Sequence, residues 1–122
     1  MQEQLPFKIF VIEDDPTYRK FLEYVLSLNP DFEVRAFEDG KSFIENLDNN
    51  PSLVTLDYTL PDIKGEEVLT SIKKYNPDIP VIVISAQEKI GTAVSLLKLG
   101  AYDYIVKDDE TKDKLLHSIN NA

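Results

Sequence analysis

Residues 53–65 read LVTLDYTLPDIKG. Leu53 to Leu56 has the make-up of a buried strand, and it runs into an aspartate, Asp57, with no turn residue between. An unpaired carboxylate is costly to hide, so an acid at the tip of such a strand needs a physical reason. Two other stretches share the design. KIFVI, residues 8–12, leads into Glu13-Asp14-Asp15, and VIVIS, residues 81–85, ends on Ser85. Near-continuous apolar runs are what strands covered on both faces of a parallel sheet require.

Five strand candidates alternate with five helix candidates. The second strand, DFEVRAF at 31–37, alternates apolar and polar residues as a sheet edge does, and the fifth, YDYIVK at 102–107, is mixed. Asp15-Pro16 predicts an N-cap followed by proline in the first helical turn. The helix it opens has the stripe Tyr18, Phe21, Leu22 and Val25. A short helix carries Phe43, Ile44 and Leu47. A third, from about Glu66 to Tyr75, carries Val68, Leu69, Ile72 and Tyr75. The fourth shows Ile90, Ala93, Val94 and Leu97, with Gly100 just past its end, and the last shows Leu115, Leu116 and Ile119. Asn29-Pro30, Asn49-Asn50-Pro51 and Asn76-Pro77 are the stops. This βα alternation implies a parallel sheet with helices on both faces. Two polar edges around three apolar centres predict an α/β, doubly wound, five-stranded sheet in the order 2-1-3-4-5, the flavodoxin-like arrangement.

A length of 122 residues suits one domain with a single core, so residues 1–122 are read as one unit. Thirteen Lys and Arg stand against 22 Asp and Glu, a formal charge of -9, which argues against direct nucleic-acid binding. No apolar run approaches the ~20 residues of a membrane helix. Met1 to Lys8 lacks the basic-then-apolar layout of a signal peptide. Without cysteine there is no thiolate metal site and no disulfide. The simplest reading is a cytoplasmic protein with no membrane contact.

In a parallel sheet the carboxyl ends of all strands lie on one rim, and ligands bind where the winding reverses, between the first and third strands. Glu13, Asp14 and Asp57 therefore face one another there, with Ser85 and Lys107 at neighbouring strand ends. Two carboxylates ~5 Å apart repel by about 3 kcal/mol at an effective dielectric of ~20. A divalent cation relieves this. Oxygen ligands with no His or Cys nearby favour Mg²⁺, with Mn²⁺ as the substitute. The backbone carbonyl of Thr59 is placed to complete the ligand set. Lys107 adds positive charge and Ser85 a hydroxyl donor. Such equipment suits phosphoryl transfer, with Asp57, alone at the crevice, as the nucleophile that becomes an aspartyl-phosphate.

FVIEDDPTYRK (10–20), LVTLDYTLPDIKG (53–65), VIVISA (81–86) and YDYIVKDD (102–109), in this order and spacing, closely resemble the receiver domain of two-component response regulators, the family of the chemotaxis protein CheY. The resemblance covers essentially the whole chain. It implies that Glu13 and Asp14 are the acidic metal pair and Asp57 the phosphoacceptor, charged from a phosphohistidine on a sensor histidine kinase or histidine phosphotransfer protein. It implies that the Thr59 carbonyl binds the metal, that Ser85 is the switch hydroxyl, and that Lys107 pairs with the phosphoryl group. Tyr104 is similar to the family's rotating aromatic, and Thr59 and Gln87 sit where the family tunes phosphate lifetime. By the same resemblance, the face of the fourth helix, fifth strand and fifth helix addresses an output domain or downstream target, and copies can pair on phosphorylation. The domain would catalyse only its own phosphorylation and dephosphorylation. Residues 102–119 look like receivers joined to ATPase transcription activators.

Two positions depart from the pattern. Glu13 stands where aspartate is more usual. Asp108 stands where a proline, with a cis bond before it, often follows the lysine; here a cis bond would cost ~3–4 kcal/mol, so trans is expected. The competing reading is a haloacid-dehalogenase-type phosphatase, which also uses a strand-end aspartate with magnesium but wants a second aspartate where Thr59 stands. A flavin site is disfavoured because Glu13-Asp14-Asp15 would repel a phosphate. His117, the one histidine, reads as a surface residue of the last helix.

Overall fold

The computed structural model describes residues 6–122; most of the stretch read above for a signal sequence lies outside them. The elements run β1 (Phe7–Ile12), α1 (Pro16–Ser27), β2 (Phe32–Phe37), α2 (Gly40–Glu45), a single 3-10 turn (Leu47–Asn49), β3 (Leu53–Asp57), α3 (Gly65–Tyr75), β4 (Val81–Ser85), α4 (Ile90–Lys98), β5 (Asp103–Val106) and α5 (Thr111–Asn121). The five strands form one sheet in the order β2-β1-β3-β4-β5, and every pairing is parallel. Register sets Ile12 beside Leu56 and Asp57 beside Ile84, so the strands end together on one rim.

Alternation along each strand divides the core into two layers. Ile9, Val11, Leu53, Ile82 and Ile84 face α1 and α5, which contribute Leu22, Leu26, Leu115 and Ile119. Phe10, Ile12, Val54, Leu56, Val81 and Val83 face the other way, against Phe43, Val68, Leu69, Ile72 and Leu96. Fully burying one such side chain stabilises the fold by about 1.5–3 kcal/mol. β1, β3 and β4 are buried along most of their length, whereas β2 alternates, as its edge position demands.

The helix ends explain why the chain turns where it does. Asp15 accepts from the Thr17 amide (3.0 Å), with Pro16 in the first turn. Asp39 accepts from the Ser42 amide (2.8 Å) at the start of α2. α4 ends as a Schellman motif: Gly100, at φ 109°, donates to the Leu97 carbonyl (3.1 Å) and Ala101 to that of Leu96 (3.0 Å).

The stripes read from the sequence need correction at several positions. Phe21 is 39% exposed; Leu26, one turn past Leu22, takes the buried place expected of it. Leu47 belongs to the 3-10 turn after α2, and Tyr75 is exposed at the end of α3. The largest difference is in α4. Ile90 is 81% exposed, Val94 and Leu97 also face outward, and Leu96 alone is buried. α4 lies over the β5 edge of the sheet, so only one row of its side chains meets the core. The 3.6-residue period shows that a helix has an apolar face, not which side the sheet lies on.

Candidate functional site

β1 delivers the first two acids. The Glu13 amide donates to the Phe37 carbonyl (3.0 Å), extending the ladder with β2 by one residue and holding the Glu13 side chain inside, at 1% exposure. One of its oxygens accepts from the Asp15 amide (3.2 Å). Arg19, in the first turns of α1, reaches back and donates to the carbonyls of Glu13 (2.9 Å) and Asp14 (3.3 Å). That clamp fixes the acidic corner. Asp14 is exposed at its mouth.

β3 delivers Asp57 as its last residue, 6% exposed. Its Oδ1 accepts from the Thr59 amide (3.3 Å). Glu13, Asp14 and Asp57 each offer an oxygen within 4.8 Å of the others. Opposite ligands of an octahedral Mg²⁺ are ~4 Å apart, so this all-oxygen set fits a small hard cation. Burial, and then Glu13, pushes the Asp57 carboxyl up to about 8, against the opposing pull of Lys107.

Lys107 follows β5 and brings its ammonium to 2.7 Å from Glu13 Oε1 and 3.7 Å from Asp57 Oδ1. Burial works to lower its pKa, but Glu13 and Asp57 outweigh burial and hold the ammonium above its ordinary range. Its side chain is only 18% exposed. Ser85 ends β4, buried, one residue past the Ile84 that pairs with Asp57. Its Oγ accepts from the Gln87 amide (3.0 Å).

The structure thus gathers Glu13, Asp14, Asp57 and Lys107, with Ser85 on the adjoining strand end and Thr59 on the loop beyond. Tyr104 and Gln87 meet each other rather than the acids: the Tyr104 hydroxyl donates to the Gln87 carbonyl (2.8 Å). His117 is exposed on α5, against Asn121. Among the described residues no peptide is cis. Asp108, in place of a proline, accepts from the Glu110 amide (2.8 Å) and pairs with Lys114 (3.2 Å), while its amide donates to Thr111 Oγ1 (2.8 Å). These bonds shape the entry to α5.

Three residues of the neighbourhood escaped the sequence reading. Arg19 gave no signal, because its partners are backbone carbonyls. Asp62 accepts from the amides of Gly40 (3.0 Å) and Lys41 (2.9 Å), tying the loop after β3 to the start of α2. Tyr18, read only as part of a core stripe, lays its ring against the Lys107 ammonium, 4.4 Å from the ring centre.

The family described as the response regulator receiver domain matches residues 9–120. The chain belongs to this family. The luminescence regulatory protein LuxO of Vibrio campbellii is 40% identical over 84 residues, covering 68% of this chain and 18% of that protein. The chain therefore spans under a fifth of that relative's length. Among solved structures, a response regulator receiver domain protein from Clostridium thermocellum superposes with a TM-score of 0.86 at 28% identity, covering 96% of this chain and 93% of that one. The CheX–CheY–BeF3–Mg²⁺ complex from Borrelia burgdorferi gives a TM-score of 0.87 at 27% identity, covering 96% and 89%. This receiver domain is a phosphoacceptor module of two-component signalling. Nothing in these likenesses supports the haloacid-dehalogenase-type phosphatase. Among the described residues no helix is long and apolar enough to cross a membrane.

Proposed function

We propose that residues 1–122 form one receiver domain in which Asp57 takes a phosphoryl group from a phosphohistidine on a sensor kinase or phosphotransfer protein. The observation that carries this assignment is the convergence of Glu13, Asp14 and Lys107 on Asp57 at one strand-end rim. Glu13, Asp14, Asp57 and the Thr59 carbonyl would hold Mg²⁺, or Mn²⁺ in its place; the Borrelia CheY neighbour is itself a complex with BeF3 and Mg²⁺. Bound Mg²⁺ supplies positive charge against the acid cluster and the oxygens of the transferring group.

An Asp57 carboxylate oxygen attacks phosphorus, the phosphorus–nitrogen bond breaks, and the electron pair leaves with the donor imidazole. Lys107, already 3.7 Å from Asp57, takes up the charge developing on the phosphoryl oxygens. The Ser85 hydroxyl donates to the new phosphoryl group, which draws the β4 end inward. Tyr104 then gives up the Gln87 carbonyl and moves toward the space Ser85 leaves, which alters the face of α4, β5 and α5. Thr59 and Gln87, exposed beside the site, control how a hydrolytic water approaches. The output is a local charge event biasing a two-state element, read by an output domain or target, with pairing of two copies as one readout. A cytoplasmic location goes with this reading, as does an output in transcription like that of the regulatory relatives.

Incubation with acetyl phosphate and Mg²⁺ should label the protein, and Asp57→Asn should abolish the label. Undiminished labelling of the asparagine variant places the acceptor elsewhere.

A further inference from the structure

Lys107 is a long, flexible side chain asked to hold one place. Its ammonium has two carboxylates beside it, and they are unequal: Glu13 at 2.7 Å and Asp57 at 3.7 Å. Left to these two, the long side chain would be free to swing out to water and leave both acids. A third group limits it. Tyr18 stands in the first turns of α1, half-buried, its ring braced by Phe21 with centroids 5.4 Å apart. The Lys107 nitrogen lies 4.4 Å from the centre of the Tyr18 ring, inside the distance at which a ring quadrupole attracts a desolvated cation. The ring also shields one side of the ammonium from solvent.

We propose that Tyr18 is a positioning residue for phosphoryl transfer: its ring cages the Lys107 ammonium between Glu13 and Asp57, so that the lysine meets the incoming phosphoryl oxygens without first being ordered. The inference deepens the assignment of Asp57 as acceptor and rests on it for its kinetic consequence. The geometry needs only the ring, since the buried Tyr18 hydroxyl has no hydrogen-bond partner. Phenylalanine therefore serves and an aliphatic side chain of similar bulk does not. Loosening the lysine also frees Glu13 for a metal ion, so metal affinity and transfer rate separate.

The test compares wild type, Tyr18→Phe and Tyr18→Leu, each checked by thermal melting. In the leucine variant the acetyl phosphate labelling rate at saturating Mg²⁺ falls about threefold to tenfold, the range expected for loss of a desolvated cation–π contact. Mg²⁺ binds no more weakly than to wild type, and the phenylalanine variant stays within about twofold of the wild-type rate. In NMR spectra of the unphosphorylated protein, the Lys107 ε-methylene protons show an upfield ring-current shift in wild type and Tyr18→Phe that is lost in Tyr18→Leu. A wild-type rate in a folded leucine variant overturns the proposal, as does an equal loss of rate and Mg²⁺ affinity. Asp57→Asn separates the two readings: if it still labels, the acceptor assignment fails, while the ring-current shift continues to report whether the cage exists.

Discussion

Leu56 and Asp57 are neighbours on β3 and both are buried, yet they pull the folding free energy in opposite directions. Leu56 lies among Ile12, Val54, Val68 and Leu69, and gains by leaving water. Asp57 is taken out of water beside Glu13 and Asp14, and a single ammonium at 3.7 Å does not offset that burial and crowding, as its raised pKa shows. The strand that builds the core ends by spending some of that stability on a site. A buried acid cluster one residue beyond an apolar core marks where the fold serves chemistry rather than itself.

The contrast is sharpest when both regions are cut. Leu69→Ala removes a fully buried side chain from the core and should destabilise by about 2–5 kcal/mol in urea unfolding. Asp57→Asn should do the reverse, raising stability on the order of 2 kcal/mol in EDTA, because it deletes one member of a mutually repelling set. Equal losses at both positions would erase the distinction. Mg²⁺ should raise the melting temperature of wild type more than that of Asp57→Asn.

The same contrast has a pH signature in the absence of metal. Asp57 keeps its proton in the folded state up to about 8, while the unfolded chain releases it near the ordinary value of 3.8. Stability from the protonated form is complete below that ordinary value and is lost as pH rises through about 8. The advantage of Asp57→Asn over wild type should therefore widen between these limits in EDTA-containing melts; a constant gap would show the carboxyl is not held protonated. Smaller again, Asp62→Ala strips two amides at the start of α2 of their acceptor and should cost about 0.5–1.5 kcal/mol. Val94→Ser, on the outward stripe of α4, should fall within about 0.5 kcal/mol of wild type.

Much of this was legible in the sequence, and for a physical reason. Strand and helix periods are local, Pro16 and Gly100 mark ends through their own backbones, and parallel strands must place Glu13, Asp57, Ser85 and Lys107 on one rim. What escaped depends on distance. The Ile90, Val94, Leu97 series announced an amphipathic helix, but its orientation is set by α4 lying over the sheet edge. Phe21 and Leu26 are both apolar residues of α1, and only the docked helix decides which is buried. Tyr18 meets Lys107 across 89 residues of chain, and Asp62 meets Gly40 across 22. No spacing rule within one element records either contact.

The most direct test of the account is chemical. Protein charged with acetyl phosphate and Mg²⁺ is reduced with borohydride, which converts an aspartyl-phosphate to homoserine, and the peptides are sequenced by mass spectrometry. The account predicts homoserine at position 57 and at no other acid. Homoserine at position 14, or a label that resists borohydride, would contradict it.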